Sequence, residues 1–492
     1  MAGTLEAKLA LARGVGTLSR LRGGGGTSAP GKVLMRLSPG ALAALGARLS
    51  RGSVLVSATN GKTTTTTMLA GILERAGIPL VHNHAGANMA GGIATTLLDA
   101  ARPGGAMAGE LGVFEVDELW LGSLARQLQP RAILLGNLFR DQLDRYGELE
   151  TIAERWREAL GEHPRATLVL NADDPLVADL GRTLEGTPSD GTHPEGHTLR
   201  QAGRQAGEGG RAGIVYFGVD DDSLALAGLA HATDAKHCRR CGAPYVFDAV
   251  YLGHLGHYHC ASCGQRRPAP AVSARDVRLQ GVRAARFTLR TPTGEAEVSL
   301  ALPGLYNVYN ALAAAALASA LEVELATIVA GLQHTQAAFG RAERVTLARA
   351  QRELRILLVK NPAGANEVLR TLALEPGEHD LLGVLNDHIA DGRDVSWIWD
   401  ADFELLAGRV RSVTCSGTRA SDLATRLKYA GIDPARIHVR EALSEALDTA
   451  AADRAQDADG APAPLFALPT YTAMLALREL LVARGEAGSA WS

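Results

Sequence analysis

The sequence predicts an α/β chain with two units: a large domain built on a parallel sheet, carrying a small cysteine insertion, and a smaller C-terminal α/β domain of Rossmann-like pattern. Three observations lead there. Short apolar runs alternate with helical stretches from Val54 onward. The alternation restarts near 342–350 after a long helix. Between the two, Cys238-x-x-Cys241 and Cys260-x-x-Cys263 mark a compact segment at about 236–266.

Length and composition fit this division. A chain of 492 residues exceeds one ordinary core. The expected parts are a basic helical segment over 1–50, a central domain over 51–342 and a C-terminal domain over 343–492. Hydrophobic content of 46% with 21% charged residues is that of a globular protein. A net charge of -3 gives no global field for nucleic acid. No run of 18 apolar residues suggests a membrane span, and the N-terminus lacks a signal-peptide core, so the chain reads as cytoplasmic.

Residues 1–51 carry eight basic side chains and one acid, Glu6. Their first stretch, "LEAKLALARGVGTLSRLR", has apolar residues near helical spacing and ends at "GGGGTSAPG". A docked or solvated helix is the plain reading, and contact with an anionic lipid surface the sharper one. Four buried parallel strands follow: "SVLVSAT", "MAGELGVFEVD", "PRAILLGNLF" and "RATLVLNADDP", each closing in a polar loop. Residues 182–211 are rich in Gly, Pro and polar groups and read as a long exposed loop. Strands resume in "ARFTLRTPTGEAEVSLAL", and a helix is expected after "PGLYNVYN". In the C-terminal part, "LRILLVKNP", "HDLLGVLND", "VRSVTCSG" and "ARIHVRE" are strand candidates, "AADRAQDADGAPAP" is a surface loop and "ALPTYTAMLALRELL" starts a core helix.

The first strand runs into "SATNGKTTTTTMLAG". A strand, a Gly-Lys-Thr turn and a helix form a device for holding a triphosphate. Backbone N–H groups around Asn60, Gly61, Lys62, Thr63 and Thr64 face the anion. Lys62 reaches the β and γ phosphates, and the Thr63 hydroxyl serves Mg²⁺. The strict motif wants Gly where Val56 stands, and its shorter form wants Gly at Ala58. A polar turn is the competing reading. Glu115 supports the site, because "GVFEVDE" is an apolar strand ending in acids, a place for a Mg²⁺ ligand opposite the phosphates.

"ATNGKTTTT", "FEVDE", "NLFRDQLDRYGE", "LNADDP", "PGLYNVYNALAA" and "FGRAE" together, in this order, resemble the Mur ligases and folylpolyglutamate synthetases, which are ATP-dependent acid–amine ligases. The resemblance implies that Lys62 binds phosphate, that Glu115 binds Mg²⁺, and that Asn307 and Arg341 lie along the nucleotide. The methyl of Ala58 is tolerable only if its φ is negative.

The two Cys-x-x-Cys pairs are eighteen residues apart, the spacing of a zinc ribbon. Four thiolates close a tetrahedron with no open position, so a Zn²⁺ there is structural. His254, His257 and His259 are nearby competitors as ligands. A Mur-type core carrying this ribbon resembles the MurT branch of the family, over about 35–490.

The amino-acid-adding members of the family carry a D-Y-A-H-x-P motif in their last domain. Here the matching strand ends "LVKNPAGANEVL", without the Asp or the His, which argues against an amino acid as nucleophile. The polar stretch "LNDHIADGRDVSWIWDADFE" holds Asp387, Asp391, Asp394, Asp400 and Asp402. It reads either as an acidic turn with Trp397 and Trp399 packed below, or as the branch signature. In the second case one aspartate completes a Cys-His-Asp triad in a partner glutaminase, with Asp394 the first choice and Asp391 the second. Cys415 in "SVTCSGT" reads as a strand-end core residue, so the glutaminase is expected on another, GatD-like polypeptide in a heterodimer.

The resemblance then implies the reaction. ATP-Mg²⁺ at Lys62, Thr63 and Glu115 phosphorylates the α-carboxylate of D-glutamate in lipid II, and ammonia from the partner converts it to D-isoglutamine. Membrane contact would come through the lipid substrate. "NHAGANMAGG" (83–92) is either a loop near the acceptor or a turn. The competing functions are a ligase that adds an amino acid and a nucleotide-binding scaffold without activity.

Overall fold

The computed structural model describes residues 2–21, 28–83, 87–141, 148–163, 165–185, 213–229, 233–335, 341–452 and 462–488. Among the described residues, eleven strands belong to the first part of the chain: β1 (Ser53–Ser57), β2 (Leu80–His82), β3 (Leu111–Glu115), β4 (Ala132–Leu135), β5 (Thr167–Asn171), β6 (Ile214–Val219), β7 (Val246–Leu252), β8 (Leu255–His259), β9 (Val272–Gln280), β10 (Ala284–Thr291) and β11 (Gly294–Leu300). Nine of them form one sheet in the order β11-β10-β9-β6-β5-β4-β1-β3-β2. From β9 to β2 the neighbours run parallel, whereas β10 and β11 are antiparallel.

Burial explains the split. β1, β3 and β4 are buried at every position and apolar apart from Ser53, Ser57 and Glu115, as expected of parallel strands covered on both faces. β10 alternates between inward and exposed residues, the pattern of a strand with one wet face. One face of the sheet is covered by helices Lys62–Arg75, Leu305–Ala320 and Leu325–Gln333. Helix Leu305–Ala320 is rich in alanine and almost wholly buried, which lets it lie close to both the sheet and helix Lys62–Arg75. It starts inside "PGLYNVYN", not after it, so that motif is its first turn.

The opposite face takes helices Ala90–Ala100, Leu121–Leu128, Leu149–Gly161 and Pro175–Glu185. The N-terminal helix Ala2–Leu21 docks there. Leu9 and Ala12 are fully buried, Arg13 donates to the Leu98 carbonyl at 3.0 Å, and Arg48 pairs with Glu6 at 3.1 Å. The expected loop over 182–211 begins later than the composition suggested, since 182–185 finish helix Pro175–Glu185; 186–211 lie outside the described residues.

The second sheet holds β12 (Arg341–Leu347), β13 (Arg352–Leu357), β14 (His379–Val384), β15 (Val410–Ser416), β16 (Ile437–Val439) and β17 (Leu465–Pro469) in the order β12-β13-β17-β14-β15-β16. Only β12 is antiparallel to its neighbour. β17 corrects the sequence reading, which gave "ALP" to a helix. It is a fully buried central strand, and helix Tyr471–Ala483 starts after it. A five-residue apolar run gives no periodicity by which to tell a strand from a buried helix turn. Among the described residues, no helix is long and apolar enough to cross a membrane.

Candidate active site

The corner after β1 is shaped by Gly61, which caps helix Lys62–Arg75 with φ +88. A Cβ there would stand 2.0 Å from the Asn310 Oδ1. Gly61→Ala is therefore expected to lose roughly 1–3 kcal/mol in denaturant unfolding, from left-handed strain and displacement of the amide. Adding Asn310→Ala should recover part of that loss; full additivity of the two losses would contradict the contact. Ala58 is not in the left-handed region, the condition its methyl imposes.

Lys62 is buried beneath this corner. Its ammonium donates to the Ala58 carbonyl and, at 3.0 Å, to Glu118 Oε2. Burial opposes the charge, but Glu118, Glu115 and Asp117 outweigh it and hold the lysine pKa above its ordinary value. Thr63 Oγ1 donates to Glu115 Oε2 at 2.8 Å, so the two expected Mg²⁺ ligands are already side by side. Asn88 donates to the other carboxylate oxygen at 3.2 Å, and Asn83 bonds the Glu115 backbone in both directions at 2.9 Å. The described part of the 83–92 loop thus orients Glu115; residues 84–86 lie outside the described residues.

Asn60 exchanges two backbone-to-amide bonds with Asn137, at 2.9 and 3.0 Å, which ties the corner to the loop after β4. Thr64 is buried in the first helical turn. Asn307 is one step removed: it donates to the Pro303 carbonyl at 2.7 Å and accepts from Asn310 at 3.1 Å. Asn310, one helical turn further along, is the amide that meets the corner, accepting from Thr65 Oγ1 at 3.3 Å. Sequence reading missed Asn310 and Glu118. The second Asn of "YNVYN" and the last acid of "FEVDE" were the available signals. Arg341 opens β12, and its side chain lies outside the described residues.

The four cysteine sulfurs lie within 4.8 Å of one another. Cys238–Cys263 and Cys241–Cys260 are 3.6 and 3.4 Å apart. Both pairs sit on the same kind of turn. Gly242 and Gly264 follow them with φ +75, and each donates to the first cysteine's carbonyl, at 2.8 and 2.9 Å. The three histidines are engaged elsewhere: His254 3.4 Å from Asp174, His257 2.9 Å from the Val219 carbonyl and His259 2.9 Å from Asp248. The β7–β8 hairpin reaches back to the corner, with the His254 ring tilted against that of Phe139, 4.8 Å away, in the loop after β4.

The five C-terminal aspartates separate by environment. Asp391 is buried and spends both oxygens on Thr472, accepting from its N–H at 2.7 Å and from its hydroxyl. Asp387 accepts from Thr418 Oγ1 at 2.8 Å, Asp400 lies 3.6 Å from Arg140, and Asp402 lies 3.7 Å from Arg370. Asp394 is exposed. The Ser396 N–H at 2.8 Å holds its carboxyl below the usual range. Trp399 does not pack below the loop: it is 52% exposed, with Arg426 5.5 Å from its ring. Cys415 is buried in β15, and burial pushes its thiol up to about 12.

A parallel sheet with a phosphate-type corner after its first strand, an acid at the end of the neighbouring strand and a separate α/β domain facing them defines the Mur-type ligases. The Mur ligase middle domain matches residues 56–198 and the MurT ligase C-terminal domain residues 358–474. A Streptococcus pneumoniae protein named lipid II isoglutaminyl synthase (glutamine-hydrolyzing) subunit MurT is 34% identical, over 95% of this chain and 94% of that one. A Staphylococcus aureus protein of the same name is 30% identical over 96% of each. The MurF ligase of Thermotoga maritima, solved with ADP, has the same fold, with a TM-score of 0.59 at 15% identity over 93% of this chain and 84% of that one. The chain belongs to the MurT family, and it is accordingly an enzyme subunit of the ligase class.

Proposed function

We propose that the chain is the synthetase subunit of a lipid II isoglutaminyl synthase. It uses ATP to phosphorylate the α-carboxylate of D-glutamate in the stem peptide of lipid II. Ammonia from a separate, GatD-like glutaminase then gives D-isoglutamine. The observation that carries this reading is the convergence of Lys62, Thr63 and Glu115 at the adjoining ends of β1 and β3, in a chain whose relatives bear that name.

The chemistry follows from the placement. Backbone N–H groups at the start of helix Lys62–Arg75 and the Lys62 ammonium bind the phosphates and offset charge on the transferring group. Thr63 and Glu115 would hold Mg²⁺, which supplies further neutralisation of that charge when bound. An acceptor carboxylate oxygen attacks the γ-phosphorus, and ADP leaves with the electron pair of the broken P–O bond. The nitrogen lone pair of ammonia then attacks the acyl carbon. Phosphate departs with its bonding pair, and one nitrogen proton passes to it.

Asp394 is the residue offered to the partner's histidine, because it is exposed and held anionic, whereas Asp391 is consumed within the fold. Trp399 and Tyr429, both more than half exposed with their rings 5.8 Å apart, give this domain an exposed apolar patch suited to docking. The cysteine cluster fits structural Zn²⁺. Zn–S bonds of about 2.3 Å put tetrahedral sulfurs roughly 3.8 Å apart, close to the separations present. One zinc per chain is expected by elemental analysis, and a strong chelator should lower the melting temperature. A Cys241→Ser chain that keeps both its zinc and its melting point would contradict this site.

The function is tested with the chain, a GatD-like glutaminase, lipid II and ATP. Product carrying one amide with glutamine or ammonium ion as nitrogen source is expected. ATP turnover tied to addition of an amino acid would overturn the reading.

A further inference from the structure

The C-terminal domain contributes two side chains to the phosphate corner, from "LVKNP" at the end of β13. Asn361 and Asn60 form a reciprocal amide pair, with bonds of 3.2 and 3.1 Å. Asn361 also caps helix Pro362–Ala373, accepting from the Gly364 N–H at 2.9 Å, so its position is fixed from its own side. Beside it, the Lys360 ammonium pairs with Asp141 at 2.6 Å, in the loop after β4 that carries Asn137. Asp141 is nearly buried, while the lysine side chain keeps 27% exposure. Its charge also reaches Glu118, the partner of Lys62: burial raises that carboxyl, and Lys62 and then Lys360 oppose the rise. Two lysines from different domains therefore flank one acidic corner.

We propose that Lys360 is a catalytic cation supplied by the C-terminal domain, touching the transferring phosphoryl group from the side opposite the Lys62 corner, and that Asn361 is a positioning residue that sets its register by clasping Asn60. This rests on the acyl-phosphate reading above. Negative charge builds twice, on the phosphoryl group as the carboxylate attacks it and on phosphate as ammonia displaces it. Lys62 is clamped by the Ala58 carbonyl and Glu118. Lys360, more exposed than Lys62 and ion-paired with Asp141, sits at the domain junction and can exchange Asp141 for phosphate oxygens. A preorganised cation at the point where charge develops lowers the barrier more than it strengthens ground-state binding.

The test uses the full chain with lipid II, ATP and ammonium ion. Lys360→Ala is expected to lower kcat about 10²-fold while the nucleotide Kd changes less than about 3-fold, the signature of an interaction made in the transition state. Lys360→Arg should recover at least tenfold of that loss, and Lys360→Met, which keeps the stem, should not. Asn361→Ala should lower kcat by about 10-fold without moving the melting temperature enough to account for it. A Lys360→Met chain with wild-type kcat, or a loss wholly explained by weaker nucleotide binding, overturns the proposal. A wild-type chain that makes no amide would instead count against the functional reading itself.

Discussion

Lys62→Ala is expected to reduce ammonium-supported amide formation by about 10³-fold or more. The side chain is 10% exposed and held between the Ala58 carbonyl and Glu118, with Glu115 and Asp117 adding to the field. Its removal takes away the cation nearest the phosphates and leaves Glu118 buried without its counter-ion. Losing one partner of a buried pair costs about 3–5 kcal/mol. The stability loss must therefore be separated from the chemistry. Lys62→Met combined with Glu118→Gln removes both charges together, so that chain should unfold closer to the wild type and still be inactive. Activity within tenfold of wild type in either variant would contradict the role assigned to the corner.

Asp394→Ala is expected to lower glutamine-supported amidation by about 10³–10⁴-fold, the scale of losing the residue that orients a triad histidine. The ammonium-supported rate should not change, because the proposed role of the aspartate is in the partner's site. Asp391→Ala should behave differently. Its carboxylate receives the Thr472 N–H and hydroxyl at the start of helix Tyr471–Ala483, so its loss removes a buried tie and lowers stability. Equal losses with glutamine and ammonium ion in Asp394→Ala would place that residue in the synthetase site and undo the assignment.

The corner itself was legible because its information is local. An apolar strand, Gly-Lys-Thr and a helix occupy consecutive residues, and the acid at the end of "GVFE" follows from strand register alone. The cysteine turns were legible for the same reason. What escaped was set by distance along the chain. Glu118 meets Lys62 across 56 positions, Asn310 meets Thr65 across 245 and Asn361 meets Asn60 across 301. No periodicity encodes such pairings; they exist only once the sheet order has brought the strand ends together. β17 escaped because its neighbours β13 and β14 precede it by about a hundred residues, and a buried five-residue run carries no pattern of its own. The two candidate aspartates lie three residues apart in one polar loop, and only burial shows that one is spent inside the fold.

The central claim is that this chain makes a carboxylate reactive by phosphorylating it. Lipid II whose D-glutamate α-carboxylate carries oxygen-18 tests that most directly, with the full complex turning over ATP and glutamine. Released phosphate containing one labelled oxygen per amide formed is the predicted result. Unlabelled phosphate accompanying full amide yield would contradict the acyl phosphate and the account built on it.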